Sequence, residues 1–483
     1  MKKIGIAMCA ATIASVLIGC GSDSSNTAVQ SEVLAQNTKT LSSTIKNQAK
    51  AVTKLNTQDF SNNPHVIDAK TMVNWVNNWQ KNRPCGVAGK LIVLQVGEAF
   101  LSDSIHTFVK HDDKNVFTFN KAGGCSNTDP MFDRTDGVSV IPKAVLSGEM
   151  MDAAFMMYNI DPVNDMILIV AGGDKKAKGM AENAAATARF AWSMKYWGLK
   201  HYAVLNGNIQ YMLNSQTNPS IKESIDNLFV AESSKPPMSG THSIKEVKTL
   251  NQDVMATLTE MMDVVKNCPT NSFILDSRSA NEYNANNSVK KSKTEAKICG
   301  PNHDEQCFTA IEGHIKGAKH IEYTNFIVRD DASIDTNKDG KVDDLDASYQ
   351  YKNVDDMLNI LQQNGFDPKT QTLYTYCRTG TRAALPAFIG TDILQVNTKL
   401  FDGSWIEWGR LAGKVGTIDV NTDKLLNEDS PFRTDIAELT EKLTYNPSNL
   451  VSPRIREGSP LEADQYACDA NKIKRDDKNY MCK

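Results

Sequence analysis

The residues best suited to chemistry lie together in Tyr376-Cys377-Arg378-Thr379-Gly380-Thr381-Arg382. An apolar, β-rich run precedes Cys377 and a helix-like stretch follows it. A sulfur anion placed between them faces backbone N–H groups and the positive end of the helix dipole. Gly380 lets the loop fold around the sulfur, so that successive amides turn inward as a nest. Arg378 and Arg382 add positive charge, and Thr379 and Thr381 complete the loop. All three effects favour thiolate, the nucleophilic form. Cys377 is therefore the expected covalent catalyst; a structural cysteine before a turn is the plain alternative.

A second constellation runs from Asp335 to Asp346. Asp335, Asn337, Asp339, Asp343 and Asp346 fall at positions 1, 3, 5, 9 and 12 of a calcium loop, with Gly340 at 6. Lys341, at position 7, would offer only its carbonyl. Asp346 is shorter than the usual Glu, and the preceding segment is not clearly helical. A structural Ca2+ is the expectation and no organic cofactor is expected; an acidic glycine turn is the alternative. Among the ten cysteines, Cys299–Cys307, Cys85–Cys125 and Cys468–Cys482 are sequence-local disulfide pairings. Spacing alone cannot fix them, and Cys299, His303 and Cys307 could instead be three metal ligands without a convincing fourth.

The elements that must position these residues come in two copies. Residues 159–170 and 365–376 each place an Asp-Pro turn before a short apolar run. Helix-like stretches follow at about 180–197 and 381–391, and strands ending in glycine turns follow at 203–207 and 399–403. Earlier strands fit 91–96 and 273–276. Alternating strand and helix argues for an α/β fold with a largely parallel sheet in each copy. Such sheets bind ligands at the carboxyl ends of their strands. In the first copy Ala171 stands where the second has Cys377, so that copy has no nucleophile.

The whole chain has 483 residues, 41% hydrophobic and 23% charged, which excludes a mostly disordered protein. A net charge of −4 gives no field for nucleic acid, so no nucleic-acid partner is expected. No apolar run after residue 20 approaches the ~18 residues of a membrane span. Met1-Lys2-Lys3, an apolar stretch and Leu17-Ile18-Gly19-Cys20 read as a leader that resembles the bacterial lipobox. Cys20 is then lipidated and the protein is anchored in the cell envelope. Gly21 in place of Asp resembles the outer-membrane sorting class of a Gram-negative host. The domain plan is a signal peptide at 1–19, a flexible tether at 20–60, domains at 61–230 and 243–412, and an extension at 413–483.

Phe273-Ile274-Leu275-Asp276-Ser277-Arg278, Glu282-Tyr283 and Gly313-His314-Ile315-Lys316-Gly317-Ala318 precede the Cys377 loop. Phe401-Asp402-Gly403-Ser404-Trp405-Ile406-Glu407-Trp408 follow it. In this order they closely resemble rhodanese domains, over about 243–412. The tandem arrangement is similar to thiosulfate and 3-mercaptopyruvate sulfurtransferases. The resemblance implies two rhodanese-like domains, each a mostly parallel sheet flanked by helices, the first inactive and closing one wall of the cleft. It implies a Cys377 persulfide fed by a small-molecule sulfur donor and emptied by a thiophilic acceptor. Arg382 would attract the sulfite-bearing part of the donor. Asp276 and Arg278 lie beside the loop, the Asp structural and the Arg structural or substrate-facing. His314, Trp405 and Trp408 would pack rather than react.

Within this class, Arg378 and Arg382 suit a dianionic donor, which puts thiosulfate ahead of 3-mercaptopyruvate. A different class is an envelope carrier that delivers polysulfide sulfur to a respiratory reductase, a redox-enzyme partner. A third is a rhodanese-related phosphatase or arsenate reductase. Cys377-x4-Arg382 is one residue shorter than the Cys-x5-Arg loop of related phosphatases, so a ring sized for one sulfur is expected.

Overall fold

Short β-branched and aromatic runs become parallel strands in both halves of the chain. The structure is a computed structural model. It describes residues 65–97, 100–102, 105–121, 134–136, 140–141, 143–172, 177–209, 212, 227–284, 313–330, 333, 335, 340–343, 346–408, 418–419, 424–425 and 471–482. The leader, the tether and Cys20 lie outside these residues, as do Cys125, Cys299, His303, Cys307, Asn337, Asp339 and Cys468.

In the first half the strands are β1 (Val66–Ile67), β2 (Leu91–Val96), β3 (Val116–Lys121), β4 (Met166–Ala171) and β5 (Tyr202–Asn208). They pair in the order β1-β5-β4-β2-β3, every pair parallel. In the second half come β6 (Met255–Ala256), β7 (Ser272–Asp276), β8 (Lys319–His320), β9 (Ile327–Asp330), β10 (Ser348–Tyr351), β11 (Thr372–Tyr376) and β12 (Thr398–Phe401). Its parallel sheet runs β6-β12-β11-β7-β8. Counted from each half's own first strand, leaving aside the β9–β10 hairpin, the two orders are the same. Strands β2 and β4 are buried at every residue, which is why they read as unbroken apolar runs rather than as alternation.

The helices used below are α1 (Ala69–Asn77), α2 (Gly148–Tyr158), α3 (Ala177–Tyr196), α4 (Leu258–Asn267), α5 (Ala280–Tyr283), α6 (Val354–Gln363), α7 (Ala384–Phe388) and α8 (Lys472–Cys482). On α3, Ala181, Ala184, Ala185, Ala188 and Ala191 recur at helical spacing and are all buried. Their small side chains let α3 approach α7, which carries Ala384 and Ala387. One apolar core then runs through both halves. A buried polar group also ties them together. Asp392, after α7, accepts from Tyr202 Oη at 2.7 Å and lies 2.5 Å from His65 Nδ1, both from the first half. Burial alone would raise its pKa, but His65 and Lys195 hold it well below the usual carboxylate range.

β9 and β10 form an antiparallel hairpin that frames the acidic loop. The calcium template's usual helix–loop–helix setting is thus replaced by a strand–loop–strand one. The hairpin docks on β5: Tyr351 N–H donates to Asn206 Oδ1 at 2.9 Å and Asn208 Nδ2 donates to the Ala347 carbonyl at 3.1 Å. From the C-terminal extension, α8 packs on the first half. Asp477 there receives both Arg134 Nη atoms at 2.7 and 3.0 Å and the Tyr196 hydroxyl at 2.8 Å. Among the described residues no helix is long and apolar enough to cross a membrane.

Candidate active site

β11 is the central strand of its sheet, and Cys377 leaves its carboxyl end fully buried. Residues 377–383 turn into α7, which a π-helical turn, Ile389–Ile393, continues. The helix expected from residue 381 becomes regular only at Ala384: the Ala384 N–H reaches the Gly380 carbonyl at 3.0 Å, but Leu385 N–H bonds to the Arg382 carbonyl at 3.2 Å and Pro386 has no N–H to continue the ladder. Gly380 has φ +81°, and a Cβ on it would lie 2.9 Å from Asp402 Oδ1. Only glycine fits both the conformation and the space.

The turn after β12 clamps the loop backbone. Cys377 N–H donates to Ser404 Oγ at 3.3 Å. Trp405 N–H donates to the Cys377 carbonyl and Ile406 N–H to the Arg378 carbonyl, both at 3.0 Å. Trp405 and Trp408 are buried beneath. Thr379 and Thr381 lie half-buried in the loop, and the Thr381 hydroxyl makes no hydrogen bond among the described residues.

Arg382 is paired with a carboxylate and remains partly exposed. Its Nη1 and Nη2 donate to the two oxygens of Glu282 at 2.7 and 2.8 Å. Arg378 lies 3.7 Å from the same carboxylate. For Arg382, burial works against the charge, but Glu282 and Cys377 more than offset it and raise the pKa. For Glu282, burial would raise the pKa, yet Arg382, Arg278 and Arg378 hold it well below the usual carboxylate range. Sequence reasoning gave Glu282 no role. The signal was its position in a capping box, in which Glu282 Oε2 also takes the Ser279 N–H that starts α5.

A depressed carboxylate contributes stability that is present above its unfolded pKa, ~4.3, and is lost as pH falls through the folded value. Glu282→Gln should therefore cost about 1–2 kcal/mol at neutral pH and flatten the acid limb of the stability curve. Urea titrations of both proteins from neutral to acid pH check this. An unchanged acid limb would mean that other carboxylates set it.

Asp276 and Arg278 are fully buried. Arg278 Nε donates to Asp276 Oδ1 at 3.0 Å and Nη2 to Oδ2 at 2.6 Å. Nη2 also meets the Gly313 carbonyl, and the guanidinium lies 4.6 Å from the Trp405 ring centroid. The Tyr376 hydroxyl donates to Asp276 Oδ2 at 2.7 Å and accepts from Ile315 N–H at 3.1 Å. Burial, then Asp276, keeps that phenol protonated, with its pKa well above the usual value. The pair is enclosed and ties the ends of β7 and β11 together, the structural one of the two roles open to Arg278. His314 stacks on Tyr283 with ring centroids 3.8 Å apart.

The first half reaches this site through Asp402, in the turn after β12. Asp402 Oδ2 accepts the Val145 N–H at 2.8 Å, and Oδ1 lies 2.5 Å from Arg189 Nη2 on α3. Neither Val145 nor Arg189 carried any motif signal.

Elsewhere, Cys85 and Cys482 are exposed thiols with no disulfide among the described residues. In the acidic loop Gly340 has φ +89°, and its N–H donates to Asp335 Oδ2 at 3.0 Å. Asp335 Oδ1 is buried and makes no hydrogen bond among the described residues. Asp346 is fully buried and its Oδ2 accepts the Asp343 N–H at 3.0 Å; Lys341 is exposed. A carboxylate oxygen with lone pairs to spare suits a hard cation.

Residues 257–411 match the family model described as a rhodanese-like domain. Two relatives bear the name "Putative thiosulfate sulfurtransferase". The one from Mycolicibacterium smegmatis is 29% identical over 118 residues, 24% of this chain and 36% of the relative. The one from Mycobacterium tuberculosis is 23% identical over 223 residues, 46% of this chain and 63% of the relative. The chain thus spans less than two thirds of either relative's length. The solved 3-mercaptopyruvate sulfotransferase SseA from Escherichia coli is similar with a TM-score of 0.41 and 14% identity, covering 71% of this chain and 99% of that one.

Proposed function

We propose that the chain carrying this rhodanese-like segment is a sulfurtransferase that holds sulfane sulfur on Cys377. The observation that carries this reading is a buried thiol at the carboxyl end of the central parallel strand β11, within a six-residue loop that ends at Arg382. The Cys377 thiolate attacks the outer sulfur of thiosulfate. A new S–S bond forms, the S–S bond of thiosulfate breaks, and sulfite leaves with the electron pair. A thiophile such as cyanide then bonds to the terminal sulfur, and Cys377 departs as thiolate. The Thr381 hydroxyl is a donor left over in the same loop. Arg378 and Arg382 supply positive charge at its rim, tempered by Glu282. The first half serves as a second rhodanese-like domain without a nucleophile. Its matching strand order supports this reading, as does Ala171 at the end of β4.

Mass spectrometry after thiosulfate exposure should find one added sulfur on Cys377. Assayed side by side, the protein should form thiocyanate from thiosulfate and cyanide and leave p-nitrophenyl phosphate intact. Cys377-dependent phosphate release without thiocyanate would overturn the reading.

The loop at 335–346 serves as a structural calcium site, supported by the orphaned Asp335 oxygen. Asp335, Asn337, Asp339, Asp343, Asp346 and the Lys341 carbonyl would hold the ion. A ligand that binds only the native state stabilises it by mass action: at a hundred times Kd the gain is about 2.7 kcal/mol. Calcium should raise the melting temperature, chelation should reverse the rise, and Asp335→Ala with Asp339→Ala should remove the response. No binding at millimolar calcium would reduce the segment to an acidic turn.

A further inference from the structure

The first half contributes one buried cation to the catalytic loop. Arg189 sits on α3 and is 6% exposed. Its Nη2 donates to the Lys143 carbonyl at 2.8 Å and lies 2.5 Å from Asp402 Oδ1. Its Nη1 is buried, makes no hydrogen bond among the described residues, and lies 3.3 Å from where a Cβ on Gly380 would be. A buried N–H with no acceptor carries a desolvation penalty, so its placement against Gly380 has an energetic cost.

We propose that Arg189 is a positioning residue for the Cys377 loop, acting through Asp402. Among the described residues the side-chain partners of Asp402 come from the first half: Val145 N–H donates to Oδ2, and Arg189 forms an ion pair with Oδ1. Asp402 in turn begins the turn whose Ser404, Trp405 and Ile406 hold the backbone of Cys377 and Arg378. The chain of contacts runs from α3 to the nucleophile without a gap. It also sets the charge next to the loop. With Arg189 present the Asp402 carboxylate is neutralised; without it, a bare buried anion would stand 2.9 Å from the Cβ position of Gly380, beside a loop that must hold a sulfur anion. The inactive half thus does more than wall the cleft. The proposal deepens the sulfur-transfer reading and rests on it for the turnover measurement, though not for the thiol measurement below.

The test uses the full chain with Arg189→Met, Arg189→Lys and Arg189→Met combined with Asp402→Asn. Two quantities are read: kcat and KM for thiosulfate with cyanide, and the rate of Cys377 alkylation by iodoacetamide. Melting curves establish that each variant is folded at the assay temperature. Misplacing a reacting group from a distance can cost about a hundredfold, so Arg189→Met should lower kcat and alkylation by roughly that factor with KM near the native value. Arg189→Lys keeps a cation on Asp402 and should recover most of the loss. Removing the Asp402 charge in the double variant should recover at least about tenfold, because the unpaired anion is gone. A folded Arg189→Met protein with native kcat and alkylation would overturn the proposal. So would a double variant no better than the single one, since Arg189 would then act directly rather than through Asp402. If Arg189→Met does not fold, the decision rests on Arg189→Lys and the double variant: either one folded but at a hundredth of native alkylation defeats the proposal. If thiosulfate leaves native Cys377 unmodified, the sulfur-transfer reading fails, while the alkylation rates still decide the role of Arg189.

Discussion

Cys377→Ser should lose persulfide formation outright, with thiocyanate production falling by at least about 10³-fold. The hydroxyl matches the thiol in size but cannot hold a sulfane sulfur, and a neutral hydroxyl is a poor nucleophile without an adjacent base. The fold should survive. Cys377 is buried, so a hydroxyl there meets an apolar setting, and the cost to stability is about 1–2 kcal/mol. Backbone contacts from Ser404 and Trp405 do not depend on the sulfur. Circular dichroism and a urea titration check the fold, and thiosulfate–cyanide turnover checks the chemistry. Substantial transfer by a folded Cys377→Ser protein would move the carrier to another cysteine, with the exposed Cys268 the first to examine.

Arg278→Met should destabilise the protein by about 3–5 kcal/mol, because it strands the buried Asp276 carboxylate without its cation. The Tyr376 hydroxyl and the Arg278 backbone N–H still donate to that carboxylate, which places the expected loss toward the lower end. Asp276→Asn together with Arg278→Met should recover part of it, since no unpaired charge remains. Denaturant titrations of the two variants measure both steps. A substrate-contact role makes the opposite pattern: native stability with a raised KM for the donor. That outcome would reverse the assignment of Arg278 as a brace.

Much of the α/β frame is legible in the order of residues alone. Asp-Pro turns, apolar runs and glycine turns identify β4, β5, β11 and β12, since a strand buried on both faces leaves an unbroken apolar signature. The helix at 180–197 appears as α3, Ala177–Tyr196, because its alanine stripe has helical period. By contrast, α7 starts three residues later than residue 381, where its pattern suggests. Pro386 has no N–H for the Arg382 carbonyl, which takes the Leu385 N–H instead, so regular helical bonding is delayed past the loop, and the apolar pattern alone does not register this. The acidic run is legible as oxygen ligands in calcium-loop spacing, but its hairpin frame is not. In that frame Asn206 and Asn208, more than a hundred residues away, accept the Tyr351 and Tyr349 N–H groups, and Asn208 donates to the Ala347 carbonyl.

The sequence by itself determined the α/β class and singled out Cys377 as the group to watch. These follow from local order: the period of apolar residues, the place of turn formers, and a thiol between strand and helix. Only the tertiary structure decided which charges meet. Arg382 is paired with Glu282 a hundred residues earlier, and Arg278 is enclosed rather than exposed. Asp402 is held from the other half by Arg189 and Val145. Electrostatic pairing depends on distance in space, and a buried charge takes whatever partner the packing brings within reach. Spacing along the chain has no access to that distance, so the sequence could name the residues of the site without saying what each one holds.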